Sequence, residues 1–328
     1  MLDSSLVIIS HNRRLMALID LLVAYARLIA GMPLMVFLFF LRLKELIFGK
    51  PLKSLEGKLV VITGGGSGIG QKMAVEVAKL KAIPIILDIN LEGMRKTIEL
   101  VNNNGGSGMM FKCDVTDADE VMKVAEEVSD SYRDKHVEIL INNAGIVSDN
   151  KSIESKSKTK VELVFKVNVL SHFHTIKAFL PQMIANGSGH IVNIASIAGV
   201  LGTSAYMTDY VSSKFAAVGL HESLKAELYV RNLKDIIKAT LICPYYINTG
   251  MFSGVKRNHI EAIIPMLDPQ FVTEKIIRGI RREELEVYIP NMLHLFFWMN
   301  RILPSTAFLE LGRICGTLDT MTTFLGRQ

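Results

Sequence analysis

Lys58-Leu-Val-Val-Ile-Thr-Gly-Gly-Gly-Ser-Gly-Ile-Gly70 decides the fold of this chain. Lys58–Thr63 is a short β-rich apolar run, and Ile69–Lys81 reads as a helix. The glycines between them permit a tight turn and let the backbone approach a pyrophosphate. The helix start then offers unpaired N–H groups and the positive end of the helix dipole. A lone glycine-rich loop is a weak signal. This one lies between a strand and a helix, and a second strand, Pro84–Ile89, places Asp88 at its end, which makes the pattern specific. Asp88 can accept hydrogen bonds from both ribose hydroxyls and would repel a 2′-phosphate, so the pair favours NAD over NADP. Ser67 is not basic, which agrees. Arg95 lies further into the next helix and reads as solvated.

The alternation continues outward. Leu91–Asn102 is a helix, Met109–Cys113 a strand and Asp117–Tyr132 a helix. Val137–Asn142, His190–Ala195 and Ile236–Cys243 are buried-type strands, with Glu286–Ile289 as a candidate last one. Helices near Val161–Ala185, Val211–Val230 and Thr273–Arg282 separate or follow them. Strands alternating with helices of this length predict an α/β domain with a doubly wound parallel sheet of Rossmann type. Asn102–Gly108 and Ser148–Lys160 read as polar loops without legible chemistry.

Tyr210-Val-Ser-Ser-Lys214 places a lysine one helical turn from a tyrosine on one face. A free phenol has a pKa of about 10 and is a poor base at neutral pH. A neighbouring cation lowers it and makes Tyr210 a usable acid–base group. In a chain with 8 tyrosines the spacing alone means little. Ser196 upstream and the glycine loop at Thr63–Gly70 give it weight, because they stand in the order a hydride-transfer enzyme needs. Tyr206 is a rival base, but Tyr210 occupies the place where its lysine would stand. His172 and His174 read as residues flanking the helix.

From Lys58 to about Pro290 the chain resembles the short-chain dehydrogenase/reductase family. Thr63–Gly70 is similar to the family's TGxxxGIG loop, and Asn142-Asn-Ala-Gly145 to its NNAG element. Ser196, Tyr210 and Lys214 resemble its catalytic residues, and Asn168 in Val-Asn-Val stands where the fourth one is found. Asp114 resembles the family's adenine-contacting Asp. Pro244-Tyr-Tyr-Ile-Asn-Thr249 resembles its PGxIxT element, with Tyr245 where the family has Gly. The resemblance therefore implies a catalytic set of Asn168, Ser196, Tyr210 and Lys214. The cofactor would be held by Gly64, Ser67, Gly68, Ile69, Gly70, Asp88, Asp114, Asn142, Ala144, Gly145, Tyr210, Lys214, Pro244, Ile247 and Thr249. In these roles Tyr210 takes the hydroxyl proton and Lys214 lowers its pKa and bonds the nicotinamide ribose. Ser196 positions the substrate oxygen, and Asn168 holds a water leading to solvent. Cys243–Phe252 and the apolar ends are similar to the membrane-associated branch of epidermal retinol and lipid-droplet 17β-hydroxysteroid dehydrogenases.

The chain has 328 residues and a mild net charge of +5, with no basic run suited to a nucleic-acid groove. Its 3 cysteines, Cys113, Cys243 and Cys315, form neither a disulfide framework nor a zinc site. The mean hydropathy of +0.31 comes largely from the two ends. Leu15–Leu41 is strongly apolar. Its uncharged part, Leu28–Leu41, would be about 21 Å long as a helix, too short for a hydrocarbon core of about 30 Å. The longer stretch carries Asp20, Arg27 and Pro33, and Gly31-Met-Pro33 is a candidate bend into a re-entrant or in-plane element. Residues 1–49 are thus expected to be an uncleaved membrane anchor, with a signal peptide and a core helix as other readings. Arg13 and Arg14 precede the segment, whereas Arg42, Lys44, Lys50 and Lys53 follow it, a slight bias towards a cytosolic domain. Residues 50–289 form the NAD-binding domain. Residues 290–328 are an apolar tail suited to a membrane interface, or alternatively to core or dimer packing.

The expected function is NAD-dependent interconversion of an alcohol and a carbonyl on a lipophilic molecule, such as a retinoid or steroid, at the endoplasmic reticulum or a lipid droplet. The alternatives are an NADPH-dependent lipid carbonyl reductase and a membrane or lipid-droplet scaffold that binds NAD structurally. A homodimer is left open.

Overall fold

The computed structural model describes residues 3–202, 204–252, 254–255 and 264–324. It divides into two compact units, Met1–Pro51 and Leu52–Gln328. In the first unit, α1 (Asp3–Phe48) is one continuous helix with Pro33 inside it. The helix is not interrupted at Gly31–Pro33. A proline removes a single N–H from the helical ladder, and apolar helices tolerate that loss where neighbouring groups adjust. Leu18–Leu41 is long and apolar enough to cross a membrane, with a mean hydropathy of 2.0 and none of it buried in the protein. The side chains of the flanking Arg13, Arg14 and Arg42 lie outside the described residues, as does Leu325 at the far end of the tail.

In the second unit, β1 (Leu59–Thr63), β2 (Ile83–Asp88), β3 (Met109–Lys112), β4 (Val137–Asn142), β5 (Gly189–Ile194), β6 (Ile237–Pro244) and β7 (Glu286–Ile289) form one sheet. The order is β3-β2-β1-β4-β5-β6-β7, and every pairing is parallel. Strict alternation divides the core. Val60, Ile62, Ile86, Ile139 and Ile141 face one cluster, together with Met73, Val77, Val272 and Ile276. Leu59, Val61, Ile85, Leu87 and Leu140 face the other, with Val121, Val124, Phe179 and Leu224. The first layer is supplied by α2 (Gly68–Lys79), α3 (Leu91–Asn103) and α9 (Pro269–Arg282), the second by α4 (Ala118–Ser131), α6 (Ser171–Ala185) and α8 (Thr208–Val230).

Helix starts follow capping chemistry. Asn90 accepts from Gly93 N–H, Asp117 from Asp119 and Glu120, and Asp268 from Phe271. The Asp268 cap with Pro269 in the first turn starts α9 one turn before the expected Thr273. The stretch expected as one helix near Val161–Ala185 comprises α5 (Lys158–Phe165), a π-turn at Lys166–Leu170, and α6. Short α7 (Ala198–Leu201) follows β5, and two tail helices, α10 (Leu293–Ile302) and α11 (Ser305–Cys315), follow β7. The tail belongs to the same compact unit as the sheet.

Candidate active site

The strand order reverses between β1 and β4, and the helices that follow these two strands lie on opposite faces of the sheet, which leaves a crevice at their carboxyl ends, the usual ligand position in an open α/β sheet. Thr63 holds the two ends in register. Its Oγ1 accepts from Asn143 N–H and Ala144 N–H, both at 2.9 Å, while Asn143 Nδ2 donates to Thr63 O at 2.9 Å. The glycine loop crosses just above. Gly64 sits at φ +65° with Ala144 Cα only 2.9 Å from where its Cβ would be, so no other residue fits without displacement. The first turn of α2 contains no acidic residue, which leaves the helix dipole available to an anion.

A groove of about 470 Å³ runs along these strand ends. Of the expected cofactor residues, Gly64, Ser67, Gly68, Ile69, Asp88, Asp114, Ala144, Gly145, Tyr210, Lys214, Pro244, Ile247 and Thr249 all line it. Two do not. A Cβ on Gly70 would lie 2.2 Å from Gly64 O, so Gly70 closes the turn from behind and does not face the groove. Asn142 is buried between strands, with its Nδ2 on Asn193 Oδ1 at 2.9 Å and its Oδ1 accepting from Thr175 at 2.6 Å. The pleat turns its side chain into the core, and Asn143, one residue on, lines the groove instead. At one end Asp88 accepts from Gly66 N–H and Asn90 N–H, both at 2.9 Å. A carboxylate has about four lone-pair sites, so acceptor capacity remains for ribose hydroxyls. The fit to a dinucleotide is good: a backbone floor, a carboxylate at one end, and a hydroxyl, phenol and ammonium at the other.

At that other end Ser196, Tyr210 and Lys214 converge. Ser196 follows β5, and Tyr210 and Lys214 share one face of α8. Lys214 Nζ lies 5.8 Å from the centre of the Tyr210 ring and donates to Ile194 O at 3.1 Å. Burial raises the Tyr210 pKa, and the hydrogen bond from Ser196 offsets this only in part. Burial lowers Lys214 to about 8. The depression of Tyr210 expected from Lys214 is therefore absent among the protein groups alone, because desolvation of the phenolate prevails. Tyr206 is 43% exposed and lines neither cavity, so it is poorly placed to be the rival base.

Asn168 is fully buried in the π-turn and does not line the groove. Its Oδ1 accepts from Ile146 N–H at 2.8 Å, and its Nδ2 donates to Ile146 O at 2.9 Å and Ser213 Oγ at 3.0 Å. Both amide protons are thus engaged, so its side chain clamps the segment after β4 to α8. π-turns often sit at functional sites. His172 is buried and held near pKa 3 by desolvation, hence neutral, and His174 Nδ1 contacts Val115 O at 3.0 Å.

A second cavity, narrow at about 80 Å³, meets the groove at Ser196 and Tyr210. Its walls are apolar and aromatic, including Met207, Tyr246, Phe252 and Ile264. Leu293 and Phe296 of α10 and Phe308 and Leu311 of α11 roof it. Tyr245, where the family pattern has Gly, needs no left-handed backbone. Its N–H bonds Ile289 O at 2.8 Å, and its ring packs edge-on to Tyr246 at 5.0 Å.

Residues 58–259 match the short chain dehydrogenase family. The chain belongs to that family. It is 37% identical over 290 residues to human (Homo sapiens) epidermal retinol dehydrogenase 2, covering 87% of this chain and 92% of that one. It is 33% identical over 302 residues to human retinol dehydrogenase 10, covering 84% and 87%. Among solved structures, a short chain dehydrogenase/reductase from Burkholderia phymatum in complex with NAD matches at TM-score 0.66 and 25% identity, covering 75% of this chain and 93% of that one. The protein is thus a short-chain oxidoreductase of the retinol dehydrogenase branch, acting on CH–OH donors with a nicotinamide cofactor.

The short-chain dehydrogenase site has a brace that the sequence did not disclose. Asp209, next to Tyr210, pairs with Lys156 at 2.9 Å, and their side chains are 1% and 3% exposed. The Ser148 hydroxyl donates to the same carboxylate, and Lys156 also donates to Asp149 O at 2.7 Å. Asn150 then donates to Met321 O and Thr322 O in the tail. The polar loop Ser148–Lys160 thereby ties the helix that carries Tyr210 to the segment behind the cavity roof. Removing one partner of a buried pair leaves an uncompensated charge. Lys156→Met should therefore destabilise the fold by about 3–5 kcal/mol in urea unfolding. A loss below about 1 kcal/mol, the range of surface pairs, would show that the brace is hydrated.

Proposed function

We propose that this protein oxidises a lipophilic primary or secondary alcohol of the retinoid class with NAD, at a membrane of the endoplasmic reticulum or a lipid droplet. One observation carries the reading: an apolar cavity meets the polar groove at Ser196 and Tyr210. An apolar molecule entering there presents its hydroxyl to those two groups and to the nicotinamide end of the groove. The names of the relatives support a retinoid over a steroid.

In this reading Ser196 donates a hydrogen bond to the substrate oxygen, and Tyr210 removes the hydroxyl proton. Tyr210 accepts that proton as the phenolate, and the Lys214 ammonium beside its ring favours the phenolate. When bound in the groove, oxidised nicotinamide would supply the hydride acceptor, and its positive charge would favour the phenolate that burial alone opposes. Asn168 keeps the groove wall and α8 in register. The roof excludes water from the reacting atoms.

NAD is favoured over NADP by Asp88. Among the described residues that line the groove, the only lysine or arginine is Lys214, at the opposite end, so nothing there would pair with a 2′-phosphate. Arg95 is not part of the wall.

Tyr210→Phe keeps the ring and removes the phenol. It should lower turnover by roughly 10²–10⁴-fold while NAD binding, read by thermal-shift titration, persists. Turnover comparable to wild type would assign the base elsewhere. The wild type should show the higher kcat/KM with NAD, and Asp88→Ala should narrow that preference. A wild-type preference for NADP would overturn the cofactor reading.

A further inference from the structure

We infer that the α10–α11 hairpin lies on a lipid surface, with its outer face in the bilayer interface and its inner face forming the portal through which the substrate reaches Tyr210. The portal half rests on the lipophilic-substrate reading above; the docking half stands on the geometry alone.

Helix α10 is apolar on two sides. Leu293 and Phe296 point into the cavity. Leu295, Trp298 and Ile302 point outward and are 62%, 59% and 77% exposed. Their spacing of three and four residues makes one continuous stripe, which Met292 extends. An ordinary surface helix hides one apolar face and shows water a polar one. This helix shows water a second apolar face, and Leu309 and Ile314 of α11 add to the exposed apolar surface. Contiguous apolar patches of this kind mark interaction sites.

The chemistry of the patch selects lipid. The sequence of α10, LHLFFWMNRI, contains no acidic residue, and its one fixed charge is Arg301. That guanidinium lies 5.2 Å from the centre of the Phe297 ring, so the side chain runs along apolar surface and keeps its charge at the edge. A tryptophan, aliphatic side chains and a peripheral cation complement the boundary between acyl chains and phosphates. The chain also carries Leu18–Leu41, a helix apolar enough to enter a membrane, which tethers the catalytic unit covalently to any bilayer that it occupies. Because the same short hairpin roofs the cavity, a molecule dissolved in the acyl layer reaches Ser196 and Tyr210 by separating α10 from α11, without crossing water.

Trp298 is the chain's only tryptophan, so its emission reports this face without any substitution. The full-length protein is reconstituted in phosphatidylcholine vesicles with plain or brominated acyl chains. A residue seated about 5–10 Å into the headgroup and acyl boundary should lose emission to the brominated lipid relative to the plain one and be shielded from aqueous acrylamide. Quenching by acrylamide but not by bromine would overturn the proposal by placing the face in water. Quenching by neither would overturn it in favour of cover by a second copy. Turnover plays no part in this readout, so an error in the substrate assignment would leave it unchanged. The portal is read from the double variant Leu295→Ser, Ile302→Ser, checked for an unchanged melting temperature. It should raise KM several-fold for a vesicle-borne long-chain alcohol and leave kinetics with a short water-soluble alcohol unaltered. Equal effects on both alcohols would overturn the portal, and if the variant melts early, the tryptophan readout on the wild type still decides the docking.

Discussion

The structure depends on one constraint, the fixed register between the end of β1 and the segment that leaves β4. Thr63 sets it by accepting two backbone N–H groups from the segment after β4. With that register held, the glycine loop has no room except directly over the crevice, where Gly64 meets Ala144. The helix start of α2, the Asp88 carboxylate and the backbone of Ala144 and Gly145 then face one groove. The two flanking helix layers bury the strands on both sides, as a parallel sheet requires. Only the ends of the strands remain open for chemistry.

The same logic governs the reacting end. Ser196 leaves β5, and α8 delivers Tyr210 and Lys214 to meet it. Burial on all sides makes these groups unlike their counterparts in water: the phenol is harder to ionise and the ammonium easier to deprotonate. Such poise suits proton transfer coupled to a charge arriving in the groove. The apolar cavity and its helical roof complete the site with walls that favour a molecule poorly soluble in water. The buried pair between Lys156 and Asp209 belongs to a polar loop that also bonds the tail, so the helix that carries Tyr210 and the segment behind the roof share one support.

Much of this was legible in the sequence, for identifiable reasons. Short apolar, β-rich runs bounded each strand closely, and the glycine loop with Asp88 pointed to the groove, because both patterns act over short separations. Errors arose where one residue or one distant contact decides. Asn142 and Asn143 differ by one step of the pleat, and only the register shows which faces the cavity. The π-turn at Asn168 has no sequence signature, since it adds a single residue to an otherwise regular helix. The union of Lys156 with Asp209 joins segments far apart in the chain, so its members looked like loop polarity and a helix start. The tail was ambiguous because membrane and core both demand apolar residues, and α10 presents such residues on two faces. Pro33 suggested a break, but α1 continues through it.

The central claim is that Ser196, Tyr210 and Lys214 direct hydride transfer from a lipophilic alcohol to a nicotinamide. Direct detection of the transferred atom tests it best. Retinol carrying deuterium at its carbinol carbon is incubated with the full-length protein and NAD, and the nicotinamide is analysed by mass spectrometry. The account predicts that deuterium appears on the reduced nicotinamide along with retinaldehyde. Aldehyde formed with unlabelled nicotinamide, or no transfer from retinol or any other lipophilic alcohol, would contradict it.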